Sequence, residues 1–108
     1  MKFKEGPLTA VLSTIGRKTG KEHSVELRAV FYNNRFYFSR RNPNSDWLKN
    51  AVANALVKVK VNETSLPGHA LLVRDEELAR SISHMKYSDG RAEDSRIVLE
   101  VIPDELSY

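Results

Sequence analysis

Ser24-Val25-Glu26-Leu27-Arg28-Ala29-Val30-Phe31-Tyr32-Asn33-Asn34-Arg35-Phe36-Tyr37-Phe38-Ser39 is the stretch on which the fold turns. Val25, Leu27, Ala29 and Phe31 share one face of an extended chain and Glu26 and Arg28 share the other, the period of two of a half-buried strand. Asn33-Asn34 then interrupts, and asparagine tolerates the positive φ of a tight hairpin turn. A further strand from Arg35 to Ser39 completes the hairpin. Of its aromatic residues, one alternating set belongs to the core. Tyr37 points the other way, and is expected to face a ligand or a dimer partner.

Outward from this hairpin the same alternation recurs. Leu8, Ala10 and Leu12 alternate with Thr9, Val11 and Ser13 in a strand from Leu8 to Thr14. On the other side, Ser45 or Asn44 can cap a short helix in which Trp47 and Ala51, and Leu48 and Val52, repeat at i,i+4. Asp46 suits its first turn and Asn54 its end. Val57, Val59 and Val61 alternate with Lys58 and Lys60 in a strand from Ala55 to Asn62 that has one wet face. Pro67-Gly68 reads as a turn and His69 to Arg74 as the next strand. Asp75 caps a second helix, with Glu76 and Glu77 matched to its dipole and Leu78, Ile82 and Met85 as its buried stripe. Ser88-Asp89-Gly90 ends that unit, and Ile97 to Ile102 is a final strand stopped by Pro103. The order is β-β-β-α-β-β-α-β. Short connections between consecutive strands predict an antiparallel sheet, and about six strands in so short a chain predict its closure into a barrel. The fold class is therefore mainly β, a barrel with two short helices.

The chain has 108 residues, room for one domain spanning 1–108. It has no cysteine, which excludes disulfides, thiolate metal sites and a cysteine nucleophile. The N-terminal residues carry no signal-peptide pattern, and no window approaches the ~20 apolar residues of a membrane span. A cytoplasmic location with no membrane contact is the expectation. His23, His69 and His84 lack ligand spacing, so no metal is expected. Ser13, Ser24 and Ser39 lack the context of a nucleophile elbow, and no catalytic side chain is assigned. The net charge is only +3, but it is unevenly placed. Arg17, Lys18, Lys21, Arg28, Arg35, Arg40 and Arg41 crowd one stretch in which only Glu22 and Glu26 oppose them. Such a field draws an anion.

That field is densest after the first strand, in Ser13-Thr14-Ile15-Gly16-Arg17-Lys18-Thr19-Gly20-Lys21. Glycines at both ends allow close approach to a ligand. Arg17 offers a planar donor fork, Lys18 a point charge and Thr19 a hydroxyl. Backbone N–H groups in such a turn can form an anion nest. The spacing is not that of a Walker loop and no helix follows. The chemistry suits a phosphate; the competing reading is a solvated hairpin loop.

A second block is Ser39-Arg40-Arg41-Asn42-Pro43-Asn44-Ser45-Asp46-Trp47-Leu48-Lys49-Asn50-Ala51-Val52-Ala53-Asn54. Together the two blocks resemble the deazaflavin-dependent nitroreductase family, within the FMN-binding split β-barrel superfamily that includes pyridoxamine 5'-phosphate oxidase-like proteins. The family has a TxGRKSG-type turn after its first strand and a downstream W-x-x-N-L-x-x-N, matched here by Gly16, Arg17, Lys18, Thr19 and Gly20, and by Ser39, Trp47, Asn50 and Asn54. The resemblance implies a split barrel that binds a phosphate-bearing flavin-type cofactor, either the deazaflavin coenzyme F-420 or FMN. It implies that Arg17 and Lys18 contact the phosphate or acidic tail, that Ser39, Arg40 and Arg41 line the ring side, and that Trp47 and Asn50 close the pocket. It further implies a homodimer and transfer of hydride or electrons to a small organic acceptor. The family often has a basic residue where His23 stands, glycines where Arg40, Arg41 and Asn42 stand, and a proline in place of Asp46. Its nitroreductases also carry an N-terminal extension, whereas seven residues precede Leu8.

Two alternatives compete with an oxidoreductase. One is a nucleic-acid-binding barrel, suggested by basic residues interleaved with Tyr32, Phe36, Tyr37 and Phe38. The other is a non-catalytic cofactor-binding protein, suggested by the short lead before Leu8.

Overall fold

A computed structural model describes residues 3–40, 45–86 and 97–104. The elements follow the order β1 (Gly6–Ile15), β2 (Glu22–Tyr32), β3 (Arg35–Arg40), α1 (Asp46–Ala53), β4 (Leu56–Val61), β5 (Thr64–Leu72), α2 (Glu76–Lys86) and β6 (Ile97–Pro103). All strand pairs are antiparallel, and the sheet closes as β1-β2-β3-β6-β5-β4, with β4 returning to β1. Closure leaves no open sheet edge. The expected barrel with two helices is the fold observed.

The alternation builds the interior. Ala10, Leu12 and Thr14 of β1 point inward and are at most 1% exposed. Opposite them β2 presents Leu27 against Ala10, Val25 against Leu12 and His23 against Thr14. Asn33 and Asn34 turn the hairpin at φ 54° and 63°, as an asparagine pair allows. Phe31, Phe36 and Phe38 fill the barrel, and α1 plugs one end with Trp47, Leu48 and Ala51. Each fully buried side chain of this size stabilises the fold by about 1.5–3 kcal/mol.

A second, smaller core lies outside the barrel wall. Val30, Tyr37 and Val98 point outward from β2, β3 and β6, and Ile82 of α2 covers them, flanked by Leu78, Ala79 and Met85. Asp75 caps α2, accepting from the N–H groups of Glu77 at 2.9 Å and Leu78 at 3.3 Å. Tyr37 does point away from the barrel interior, but towards neither a ligand nor a partner. It is 2% exposed beneath α2, and its hydroxyl donates to Glu100 at 2.8 Å. Arg35 holds the second oxygen of Glu100 at 3.1 Å. Burial first, then the Glu100 hydrogen bond and charge, push the Tyr37 phenol well above the usual range. Folding thus favours the neutral phenol, a contribution complete below about pH 10 and lost as pH rises beyond it. Tyr37→Phe is expected to flatten the alkaline fall in stability, read by urea denaturation at neutral and alkaline pH.

Other expectations are corrected. Pro67-Gly68 is no turn: both lie inside β5, paired with Lys58 and Val57. The chain turns earlier, at Asn62, where φ is 55°. The Pro67 carbonyl accepts from Asp104 just beyond β6, so the proline's missing N–H faces the place where that strand ends. Gly68 sits where β5 and β6 press together. A Cβ there would lie 2.8 Å from the Ile102 carbonyl oxygen and 3.1 Å from Val101 Cγ1. Gly68→Ala is expected to cost about 1–3 kcal/mol, because a backbone neighbour must move; a lowered urea midpoint at unchanged slope checks it. Ser45 is the N-cap of α1 without a side-chain capping bond; Asn54 ends the helix as expected, in an extended conformation. Asn44 and Ser88-Asp89-Gly90 lie outside the described residues.

Candidate cofactor cleft

The β1–β2 connection is a closed loop. The Gly16 N–H donates to the Lys21 carbonyl and the Gly20 N–H to the Gly16 carbonyl, each at 2.8 Å. Gly20 takes φ +71°, which favours glycine. Gly16 has a different task. A Cβ there would lie 2.6 Å from Thr19 Oγ1 and 2.7 Å from His23 Nε2. Glycine at 16 thus makes room for a Thr19–His23 pair whose atoms are 3.2 Å apart.

The loop is fastened to α1 through one side chain. Asn50, 5% exposed, accepts with Oδ1 from the Arg17 backbone N–H at 3.2 Å and from Arg17 Nη1 at 2.7 Å. Its Nδ2 donates to Thr14 Oγ1 at 3.4 Å. Arg17 Nη2 also reaches Asp46 at 3.5 Å, an exposed contact of small energetic weight. Residues 33 positions apart are thereby joined where α1 meets the β1–β2 loop.

Between the β1–β2 hairpin and the start of α1 lies a cleft of about 240 Å³ lined by Thr14, His23, Ser24, Val25, Ser45, Asp46, Trp47 and Asn50. Trp47 is both anchor and wall: it is 9% exposed, meets Phe38 edge-on at 6.3 Å, and borders the cleft. An apolar wall with a few convergent polar groups is the usual make-up of a small-molecule site.

The residues singled out in sequence divide three ways. Gly16, Arg17, Thr19, Trp47 and Asn50 come together around the cleft or its seat. Lys18 and Gly20 lie exposed on the loop. The guanidinium of Arg17 is spent on α1, so Lys18 and Lys21 carry the loop's outward charge. The anion nest is smaller than expected: the N–H groups of Gly16, Arg17, Gly20 and Lys21 all have internal acceptors, which leaves those of Lys18 and Thr19. Ser39 is buried and pairs with Val98, on the face of β3 that Tyr37 occupies rather than the face where Phe38 meets Trp47. Arg40 ends β3, and Arg41 lies outside the described residues. Sequence reasoning missed Thr14 as a cleft residue and weighed His23 only as a departure from the family's basic position. The signal was present, since alternation from Ala10 puts Thr14 inward and the hairpin register puts His23 across from it.

The chain is a closed six-stranded antiparallel barrel of the split-barrel fold, in which the β1–β2 loop is fastened to α1. The model of the F420H(2)-dependent quinone reductase family matches residues 1–96, and the chain belongs to that family. It is an oxidoreductase that works with a flavin-type cofactor; neither the nucleic-acid reading nor the non-catalytic one is favoured. Among solved structures, an F420-H2 dependent reductase shares 22% identity, with 86% of this chain and 92% of that one covered at a TM-score of 0.68. A protein of the pyridoxamine 5'-phosphate oxidase type from Listeria innocua shares 18% identity, with 90% and 84% covered at a TM-score of 0.71. A chain described as a domain-swapped dimer shares 23%, with 86% and 78% covered at a TM-score of 0.70. These likenesses establish the fold. No curated protein matches in sequence. Among the described residues no helix is long and apolar enough to cross a membrane, and no cluster of His, Asp or Glu could hold a metal ion.

Proposed function

We propose that this chain binds the deazaflavin coenzyme F-420, in preference to FMN, in the cleft between the 16–23 loop and α1, and reduces a quinone-type acceptor. The observation that carries the reading is the Asn50 junction: one buried amide holds the Arg17 loop and Thr14 at the mouth of an apolar-walled cleft. Its family supplies the cofactor and acceptor class.

The residues suit such a group. Trp47 and Val25 offer apolar surface to a flat fused ring and exclude water from it. Lys18 and Lys21 stand outside the cleft, where an acidic tail would emerge. Asn50 and Arg17 position the loop that carries them. When bound, the cofactor supplies the hydride chemistry; the protein supplies binding, orientation and electrostatics.

The cleft's 240 Å³ falls short of the roughly 300–1,000 Å³ of complete small-molecule sites. A second protomer covering the rest fits this shortfall. So do the exposed apolar side chains Val52 and Leu56, each 57% exposed, and Leu71, 46% exposed. We therefore read the working unit as a cytoplasmic homodimer. Incubating the protein with reduced coenzyme F-420 and a soluble naphthoquinone tests the reading. Stoichiometric return of oxidised deazaflavin, with none when reduced FMN replaces it, is expected. Binding without turnover would overturn the enzymatic part.

A further inference from the structure

Among the described residues, eight line the cleft, and the charge they bring is one-sided. Asp46 is the one acid among them, no lysine or arginine is present, and His23 is the other titratable group. The cations of the loop lie elsewhere: Arg17 is held on Asn50, and Lys18 and Lys21 are exposed on the loop. A phosphate lodged between the hairpin and α1 therefore meets a carboxylate at close range.

The neighbouring arginine offsets that carboxylate only weakly. Asp46 Oδ1 stands 3.5 Å from Arg17 Nη2, beyond the roughly 2.7–2.9 Å of a charge-assisted hydrogen bond, and the Asp46 side chain is 88% exposed. Water screens such a pair. The shorter bond of Arg17, at 2.7 Å, goes to Asn50. The fold sets the place of the acid: Asp46 opens α1 next to Trp47, whose ring is anchored edge-on against Phe38. A first-turn acid also suits the helix dipole, a role that is indifferent to the charge of a ligand.

The two candidate cofactors differ in the charge they bring here. FMN ends in a phosphate monoester, which carries about −1.5 to −2 charge at pH 7. In the deazaflavin coenzyme the corresponding phosphate is esterified twice and carries a single charge, and the remaining acidity lies further out along the tail. Repulsion by a fixed carboxylate grows with the charge placed beside it. A like charge set against the wrong ligand is one route to specificity. We propose that Asp46 is a specificity-determining residue of the cleft: its carboxylate penalises a dianionic phosphate monoester and so favours the deazaflavin over FMN. The inference rests on the proposed deazaflavin site.

Equilibrium titration of wild type, Asp46→Asn and Asp46→Glu with FMN, riboflavin and oxidised coenzyme F-420, followed by Trp47 emission, tests it. Riboflavin has the ring and chain of FMN without the phosphate, so it reports changes in the cleft other than charge. Asp46→Asn is expected to tighten FMN by about three- to fivefold, and to change riboflavin and the deazaflavin by no more than about twofold. Asp46→Glu, which keeps the charge, should keep the wild-type ranking. The gain for FMN should shrink in about 1 M salt, where the screening length falls to about 3 Å. A urea curve for each variant checks that the protein is folded. Equal changes for FMN and riboflavin in Asp46→Asn, or no gain for FMN, overturn the role of Asp46 while leaving the cofactor site standing. Wild type that leaves the deazaflavin unbound, with FMN still tightened in Asp46→Asn, overturns the cofactor reading and leaves the charge discrimination. Absence of binding of all three ligands by every variant overturns both.

Discussion

Replacing Arg17 and Lys18 together by alanine is expected to weaken deazaflavin binding by at least about a hundredfold while leaving the barrel folded. The two side chains fail for different reasons. Lys18 is exposed on the loop and would meet the cofactor's anion as a point charge, worth about 1.5–3 kcal/mol in a charge-assisted bond. Arg17 donates instead to Asn50 at 2.7 Å and reaches Asp46 at 3.5 Å. Its loss weakens the fastening of the loop to α1, leaving Asn50 Oδ1 with the Arg17 backbone N–H alone. Taken together these losses exceed about 3 kcal/mol, hence the hundredfold. The measurement is cofactor affinity beside a urea denaturation curve. Unchanged affinity in the folded double variant would remove the loop from the site.

Phe38→Ala is expected to have the largest effect on stability, about 3–5 kcal/mol. That is a large share of the roughly 5–15 kcal/mol by which such domains are stable. Phe38 is fully buried in the barrel and packs edge-on against Trp47, so its removal opens a cavity beneath α1. Because α1 also carries Asn50, the same change should loosen the cleft. The expected result is a lower urea midpoint with unchanged slope, together with weaker cofactor binding. A loss below about 1 kcal/mol would mean that α1 seats independently of the barrel interior.

Much of this architecture was legible because it is written in local periodicity. The alternation of β1, β2 and β4, the Asn33-Asn34 turn and the apolar stripe of α2 all survive in the structure, as does that of α1 except for Val52, which is 57% exposed. What failed depended on neighbours distant in sequence. Pro67-Gly68 has turn chemistry, yet the end of β6 accommodates the proline and the close approach of Ile102 requires the glycine. Tyr37 has the alternation of an outward residue, and only the position of α2 makes it buried. The site divides in the same way. Gly16, Arg17, Trp47 and Asn50 were visible as two separated blocks, but the bond between Arg17 and Asn50 was not. The role of Gly16 also changed, from backbone freedom to space for Thr19 and His23. Thr14 was passed over because a threonine in a strand carries no motif; the strand register sets it across from His23 at the cleft.

The central claim is that the loop and α1 together form a deazaflavin site, and the sole tryptophan stands in its wall. Titration of the protein with oxidised coenzyme F-420, and separately with FMN, read by Trp47 emission, tests it most directly. Saturable quenching by the deazaflavin with a Kd of about 1 μM or below, weaker or absent quenching by FMN, and loss of the signal in the Arg17→Ala, Lys18→Ala protein are expected. Folded protein that takes up FMN and leaves the deazaflavin unbound, or that binds neither, would contradict it.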